Sequence, residues 1–294
     1  MRAILLHNPG AGNGDVAAED LLAALACGGV SARYCSAKAP DFPDALREPA
    51  DLVVVAGGDG TVVKAIDQLR DRSIPIAILP LGSANNIARS LGIDAAPIEM
   101  ARAGWEQAEE RRLDVGTASG PWGTRIFVEA VGLGVLAEAA AAVDERDVQG
   151  PERSRLAREM LYEMLADAQP QEMKFVVDGQ EIEVPVLLAE IMNTAATGPR
   201  LSLAPGARPG DGLLDLVWLE AEARAEMLSW LEEPAQGAPP LRARQGRAAA
   251  FEWRRGRLHV DDAFPKPPAR PCPIEVGLLP RAMTVVVPGN VSFG

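Results

Sequence analysis

The pentapeptide Gly57-Gly58-Asp59-Gly60-Thr61 follows directly on the apolar run Leu52-Val53-Val54-Val55-Ala56 and opens the helical stretch Thr61–Arg70. A run with no polar residue reads as a parallel strand covered on both faces. Glycines after it let the backbone turn sharply and approach a ligand closely. The exposed amides at the helix start then favour an anion. A carboxylate among them is no phosphate ligand, so Asp59 fits a hold on Mg²⁺ or acceptance of a proton from an attacking hydroxyl. The plain alternative is a strand-to-helix turn with a capping aspartate.

The surrounding sequence repeats this rhythm. Ala3–His7, Ser31–Cys35, Asp51–Ala56 and Ile74–Leu79 read as strands, alternating with helices at Val16–Cys27, Thr61–Arg70 and Asn85–Leu91. Such alternation implies βαβ units and a parallel sheet between helices. Two further turn-rich segments, Asn8-Pro9-Gly10-Ala11-Gly12 and Pro80-Leu81-Gly82-Ser83-Ala84-Asn85-Asn86, fall at the C-terminal ends of neighbouring strands. Ligands of open α/β sheets bind there. The Walker pattern is absent, so a nucleotide site here is built without a P-loop.

Beyond Asp114 the pattern changes to strands paired by hairpins. Phe175–Val177 and Glu181–Ile191 flank Asp178-Gly179, a strong hairpin signal. Further strands are predicted at Arg125–Val131, Gly212–Leu219, Arg247–Trp253, Leu258–Asp261, Pro273–Val276 and Thr284–Val287, with helices at Glu152–Ala168 and Ala221–Glu232 and a connection at Pro234–Pro240. The expected architecture is an α/β nucleotide-binding domain over residues 1–115, followed by an antiparallel β-sandwich with helical insertions over residues 116–294.

The 294 residues carry a net charge of −12, which excludes a general nucleic-acid binder. No apolar run approaches the ~20 residues of a membrane span, and the N-terminus reaches Asn8-Pro9-Gly10 too soon for a signal peptide. Cys27, Cys35 and Cys272 form no C-x-x-C pair. A cytoplasmic protein is expected. Arg242–Arg257 runs against the overall charge, with six arginines, one glutamate and the aromatics Phe251 and Trp253. It reads either as a hairpin docking Arg254-Arg255-Gly256-Arg257 on an anionic membrane, or as a solvated hairpin whose arginines pair with local acids. Gly132-Leu-Gly134-Val-Leu-Ala137 matches a dinucleotide fingerprint only formally, and His7 and His259 read as structural strand histidines.

Taken in order and spacing, Asn8-Pro-x-x-Gly12, Gly57-Gly-Asp-Gly-Thr61 and Pro80-Leu-Gly-Ser-Ala-Asn-Asn-Ile-Ala-Arg-Ser-Leu-Gly92 resemble the catalytic domain of diacylglycerol and sphingosine kinases, with the soluble bacterial lipid kinases nearest in layout. The similarity continues through Arg112-Leu-Asp-Val-Gly116, Val131-Gly-Leu-Gly134, Asn193 and the stretch from Pro205 to Leu216. The resemblance implies an ATP- and Mg²⁺-dependent lipid kinase with ATP between the two domains. It places Asn8, Pro9, Gly12, Gly57, Gly58, Asp59, Gly60, Thr61, Gly82, Ser83, Asn85 and Asn86 around the nucleotide. It also implies a Mg²⁺ site at Asp211 with the carbonyls of Arg208 and Leu213, and Asp261 as general base beside Asp59.

The sequence departs from that pattern at three places. Asn86 stands where relatives have a carboxylate, Lys64 follows Thr61 where they often have glutamate, and Asp261-Asp262-Ala263 replaces Asp-Gly-Glu. A catalytically degenerate nucleotide- or lipid-binding member is therefore the alternative, with a nicotinamide-dinucleotide kinase as a third reading. The expected partners are a lipid substrate, an inner-leaflet membrane surface met through Arg242–Arg257, and a second copy of the chain in a homodimer.

Overall fold

The computed structural model describes residues 1–105, 108–146, 148, 150–233 and 237–288. The chain forms two compact units, Met1–Leu113 with a return at Arg281, and Asp114–Pro280. The long strands β5 (Glu109–Gly120) and β15 (Cys272–Val287) each contribute residues to both.

In the first unit, β1 (Arg2–His7), β2 (Ser31–Ser36), β3 (Leu52–Gly57) and β4 (Ile76–Pro80) pair in parallel in the order β2-β1-β3-β4. Val285 of β15 pairs in parallel with Ile76 of β4. Every residue of β3 is buried, as its unbroken apolar sequence requires. Strand order reverses between β1 and β3, and the crevice beyond their C-terminal ends is where such sheets bind ligands. Helices α1 (Ala18–Cys27), α3 (Asp59–Leu69) and α4 (Asn86–Ser90) stand where the sequence predicts them. It does not foretell α2 (Phe42–Arg47) and α5 (Pro97–Arg102), six residues each. Both are too short for a helical period, and their one signal is a proline in the first turn.

The second unit is a two-sheet sandwich. One sheet holds β6 (Gly123–Phe127), β8 (Gln171–Val177), β9 (Gln180–Val186) and β13 (Ala249–Trp253) with parts of β5 and β15; the other runs β12-β11-β10-β7-β14. These last strands are β7 (Ala130–Gly134), β10 (Leu188–Met192), β11 (Leu214–Leu219), β12 (Arg242–Gly246) and β14 (Leu258–Val260). Phe127, Phe175, Phe251 and Trp253 meet Leu133, Ile191, Leu216 and Trp218 in the core between the sheets. The outer face of the second sheet is covered by α6 (Val135–Asp144), α7 (Gly150–Asp167) and α8 (Arg224–Glu232), through Leu136, Leu161, Leu165, Met227 and Trp230.

Two predicted strands each divide into a pair. Arg125–Val131 divides at Val128-Glu129, and Glu181–Ile191 divides at Leu187; in each case the halves lie in different sheets. Val128 and Leu187 are themselves buried, so the apolar pattern does not mark the switch. Conversely, Pro273–Val276 and Thr284–Val287 belong to the single strand β15. Asp178 and Gly179 both have positive φ, +48° and +80°, which closes the predicted hairpin between β8 and β9 with a type I′ turn.

Arg242–Arg257 is not a hairpin. Its strands β12 and β13 lie in opposite sheets, and Arg254–Arg257 crosses from β13 to β14 between sheets. Phe251 and Trp253 are core residues, 5 % and 1 % exposed, and so are not membrane anchors. Arg242 pairs with Glu220 at 3.9 Å, Arg254 with Glu252 at 2.6 Å and Arg257 with Glu145 at 2.7 Å, as the solvated reading expects. Among the described residues no helix is long and apolar enough to cross a membrane.

A switch between sheets removes backbone N–H groups from the ladder, and two aspartates receive them. Asp178 accepts from the amides of Arg247 and Ala248 at 3.0–3.1 Å. Asp261 accepts from Val128 at 2.8 Å, Glu129 at 2.9 Å and Ala130 at 3.1 Å. Both aspartates occupy the left-handed region, where an aspartate is better tolerated than most residues.

Candidate active site

Three loops converge at the C-terminal ends of β1, β3 and β4. A Cβ on Gly82 would lie 2.5 Å from the Gly58 Cα, and one on Gly12 would lie 2.4 Å from the Leu81 carbonyl oxygen. Each glycine therefore lets one backbone lie against another. Gly57 makes room for the Thr61 side chain, which a Cβ there would meet at 2.6 Å. Asn8 ties the first loop to the second: its Nδ2 points at Thr61 Oγ1 at 3.4 Å, while its Oδ1 accepts the Gly10 amide at 3.2 Å. Asn85, with φ of +55°, closes the third loop by accepting from the Gly82 amide at 2.9 Å and donating to the Gly82 carbonyl at 2.7 Å.

Asp59 is the first residue of α3, and its Oδ1 accepts the Ile87 amide at 2.9 Å, joining the second loop to the start of α4. Asn86 is the first residue of α4 and is buried. Pro9, Gly60 and Ser83 lie within the same three loops; at the start of α3 the amides of Thr61 and Val62 donate to the Gly58 carbonyl at 2.9 and 3.2 Å, and the Gly60 amide precedes the first helical bond. Lys64 lies on the first turns of α3 and is exposed. Bare backbone, helix-start amides and asparagine clamps suit a polyphosphate, so ATP fits the donors present.

The second unit carries the other expected residues. The segment 208–213 is a tight turn: the Arg208 carbonyl accepts the Gly210 amide at 2.7 Å and the Asp211 amide at 3.3 Å, and Asp211 Oδ1 accepts the Leu213 amide at 3.0 Å. The turn thus uses the Arg208 carbonyl, and Asp211 and Leu213 remain as oxygen donors. Among the described residues no three His, Cys, Asp or Glu side chains stand close enough to hold a metal. Mg²⁺ that keeps its waters and uses phosphate oxygens needs only one or two carboxylates. Asp59, among the phosphate-type loops, meets that requirement.

Asp261 has its Oδ1 filled by two amides and its Oδ2 by one, which leaves one acceptor position on Oδ2. Loss of hydration raises its carboxyl to about 7, opposed by the three amides and aided by the charge of Asp262. Next to it, His259 Nε2 lies 2.8 Å from Glu190 Oε2, and its Nδ1 lies 3.1 Å from the Asp261 carbonyl oxygen. Burial pulls the His259 pKa down, but Glu190 and the Asp261 carbonyl outweigh it, so the net shift is upward.

Residues 2–118 match the diacylglycerol kinase catalytic domain, and residues 129–287, more than half of the chain, match the YegS C-terminal NAD kinase beta sandwich-like domain. The chain belongs to the diacylglycerol kinase and YegS-like lipid kinase family. It is 29 % identical over 257 residues to a diacylglycerol kinase of Mycobacterium tuberculosis, covering 83 % of this chain and 79 % of that protein. To a diacylglycerol kinase of Bacillus subtilis it is 27 % identical over 241 residues, 77 % of this chain and 76 % of that one. The fold matches a crystal structure of a diacylglycerol kinase from Bacillus anthracis with a TM-score of 0.70 at 19 % identity, covering 99 % of this chain and 98 % of the other.

Within this family fold, the structure gives contacts to residues for which the sequence states no role. Lys38, in the turn after β2, brings its ammonium nitrogen to within 2.7 Å of where a Cβ on Gly10 would stand, over the first loop. Asp114, fully buried, accepts the Gly212 amide at 2.8 Å, while its own amide donates to the Pro209 carbonyl at 2.8 Å. Asn193 donates to the carbonyls of Asp114 at 3.0 Å and Val128 at 2.9 Å. Asp114 and Asn193 belong to quoted motifs, but their roles as clamps depend on partners 65 or more positions away. Lys38 has no motif at all.

Proposed function

We propose that this protein is an ATP- and Mg²⁺-dependent lipid kinase that phosphorylates a hydroxyl of diacylglycerol or of a related long-chain lipid. The reading rests on the backbone-to-backbone meeting of the three glycine loops around Asp59. Residues 1–115 are assigned the nucleotide and residues 116–294 the lipid. Bound ATP would supply the phosphoryl group, with a divalent ion neutralising its charge. The chain contributes positioning and electrostatics. The Gly60 amide at the start of α3, Asn8 and Ser83 orient phosphate oxygens, Lys38 adds a cation, and Asp59 supplies the metal-facing charge. Asp261, through the remaining position on Oδ2, accepts the lipid hydroxyl proton.

The direct test is purified protein incubated with labelled ATP and a panel of diacylglycerols, long-chain alcohols and NAD. A labelled phospholipid is expected. Labelled NADP instead, or ATP binding by calorimetry with no turnover on any acceptor, would overturn the reading. Because the base must be unprotonated and its pKa is raised to about 7, kcat/KM should climb with pH up to about 7 and level off above it. A profile already flat from pH 5 would remove Asp261 from the base role. Lys38→Ala should raise KM for ATP by about fivefold, the size of one solvent-exposed ionic contact, with an unchanged melting temperature and most of the effect restored in Lys38→Arg.

A further inference from the structure

Glu190, Gly132 and His259 stand directly opposite one another on β10, β7 and β14. The Glu190 carboxylate lies over the Gly132 backbone, where a Cβ would come within 2.0 Å of both its oxygens. Only glycine at position 132 lets Glu190 reach across β7 to His259. The Glu190 side chain is wholly buried and the His259 side chain is 6 % exposed.

The hydrogen bonding fixes the ring. A carbonyl oxygen can only accept, so Nδ1, facing the Asp261 carbonyl at 3.1 Å, carries a proton. Nε2 then shares a second proton with Glu190 Oε2 across 2.8 Å. Asp261, the recipient of the Nδ1 bond, has φ of +47° and donates its own amide to the Ala130 carbonyl at 2.9 Å. Its carboxylate is thus held by Val128, Glu129 and the first residue of β7, and its carbonyl by His259 of β14. As a core filler the pair is poor: Glu190 Oε1 has no hydrogen-bond partner, and apolar side chains of similar volume serve a core at least as well.

We propose that the buried Glu190–His259 pair is a positioning device that holds the Asp261 turn, with Glu190 fixing the ring and His259 Nδ1–H fixing the peptide after Asp261. Neither residue touches substrate. What the held carboxylate does rests on the kinase reading above, whereas the holding itself does not.

The test compares wild type, Glu190→Gln and the apolar double variant Glu190→Leu/His259→Phe. In the substrate-free protein, the Asp261 carboxyl is titrated by ¹³C NMR. Where lipid is turned over, kcat and KM are measured alone and in an Asp261→Asn background. The double variant should fold and melt near the wild-type temperature. It should move the Asp261 titration midpoint by about half a pH unit or more and lower kcat about 10- to 100-fold, the scale of a misplaced reacting group, with KM for ATP unchanged. Combined with Asp261→Asn it should cause no further loss. Glu190→Gln, whose amide can donate to Nε2 and keep Nδ1–H in place, should stay within about twofold of wild type. An Asp261 titration unchanged in the folded double variant would reduce the pair to a core contact and overturn the proposal. Should the double variant not fold, His259→Gln provides the same comparison. A wild type that phosphorylates no lipid would overturn the kinase reading and leave the titration to decide the positioning role.

Discussion

Replacing Asp59 by asparagine is expected to lower kcat by about 10²–10³-fold while leaving the protein folded, a loss typical of removing one electrostatic group from a transferring centre. The two effects separate because the charge proposed for the reaction and the structural contact of Asp59 are different properties of its side chain. Its Oδ1 accepts the Ile87 amide at 2.9 Å and so holds the start of α4 against α3. Asparagine keeps that oxygen and removes only the charge. Asp59→Ala removes both, and should add a stability loss of about 1 kcal/mol, as for a lost helix cap. Steady-state kinetics on the asparagine variant read the charge, and calorimetry on the alanine variant reads the cap. Turnover indifferent to both substitutions would dismiss Asp59 from the reaction.

Gly82→Ala should weaken ATP binding by forcing two backbones apart. The added methyl would stand 2.5 Å from the Gly58 Cα and 2.8 Å from Asn85 Oδ1. The nearest obstacle is backbone and cannot rotate away, so the second and third loops must separate. The same methyl disturbs the two bonds by which Asn85 clamps Gly82. Overpacking of this kind destabilises by about 1–3 kcal/mol, and ATP affinity should fall by at least about 100-fold, since misplaced positioning groups lose that much. Gly206→Ala is the control, because nothing lies within 4 Å of a Cβ there. Isothermal calorimetry with ATP and a melting curve on each variant decide it. A Gly82→Ala protein that binds ATP like wild type would mean that the contact between the loops is not the cradle.

These expectations differ in how far the sequence announces them. The loop at Gly57–Thr61 is legible because its strand, turn and helix are contiguous, and each part has a local cause. The same holds for Asn8–Gly12 and Pro80–Asn86, where the strand preceding each loop is local too. Local signals also find the Asp178-Gly179 turn between β8 and β9. They fail at Val128 and Leu187, where the chain changes sheet while staying buried. They fail again at Arg242–Arg257, whose charge suggests a single exposed hairpin but whose Phe251 and Trp253 fill the sandwich core.

What the sequence determined by itself is the parallel α/β unit, its three turn-rich loops at the strand ends and the switch to antiparallel pairing near Asp114, because alternation, glycine turns and apolar runs act between near neighbours. Only the tertiary structure decided that Gly82 rests on Gly58, that Asp59 caps a helix 28 positions away, and that Glu190 reaches His259 across Gly132. Those relations depend on strand order and register, and a hydrogen bond between distant residues exists only once the sheets that carry them have formed.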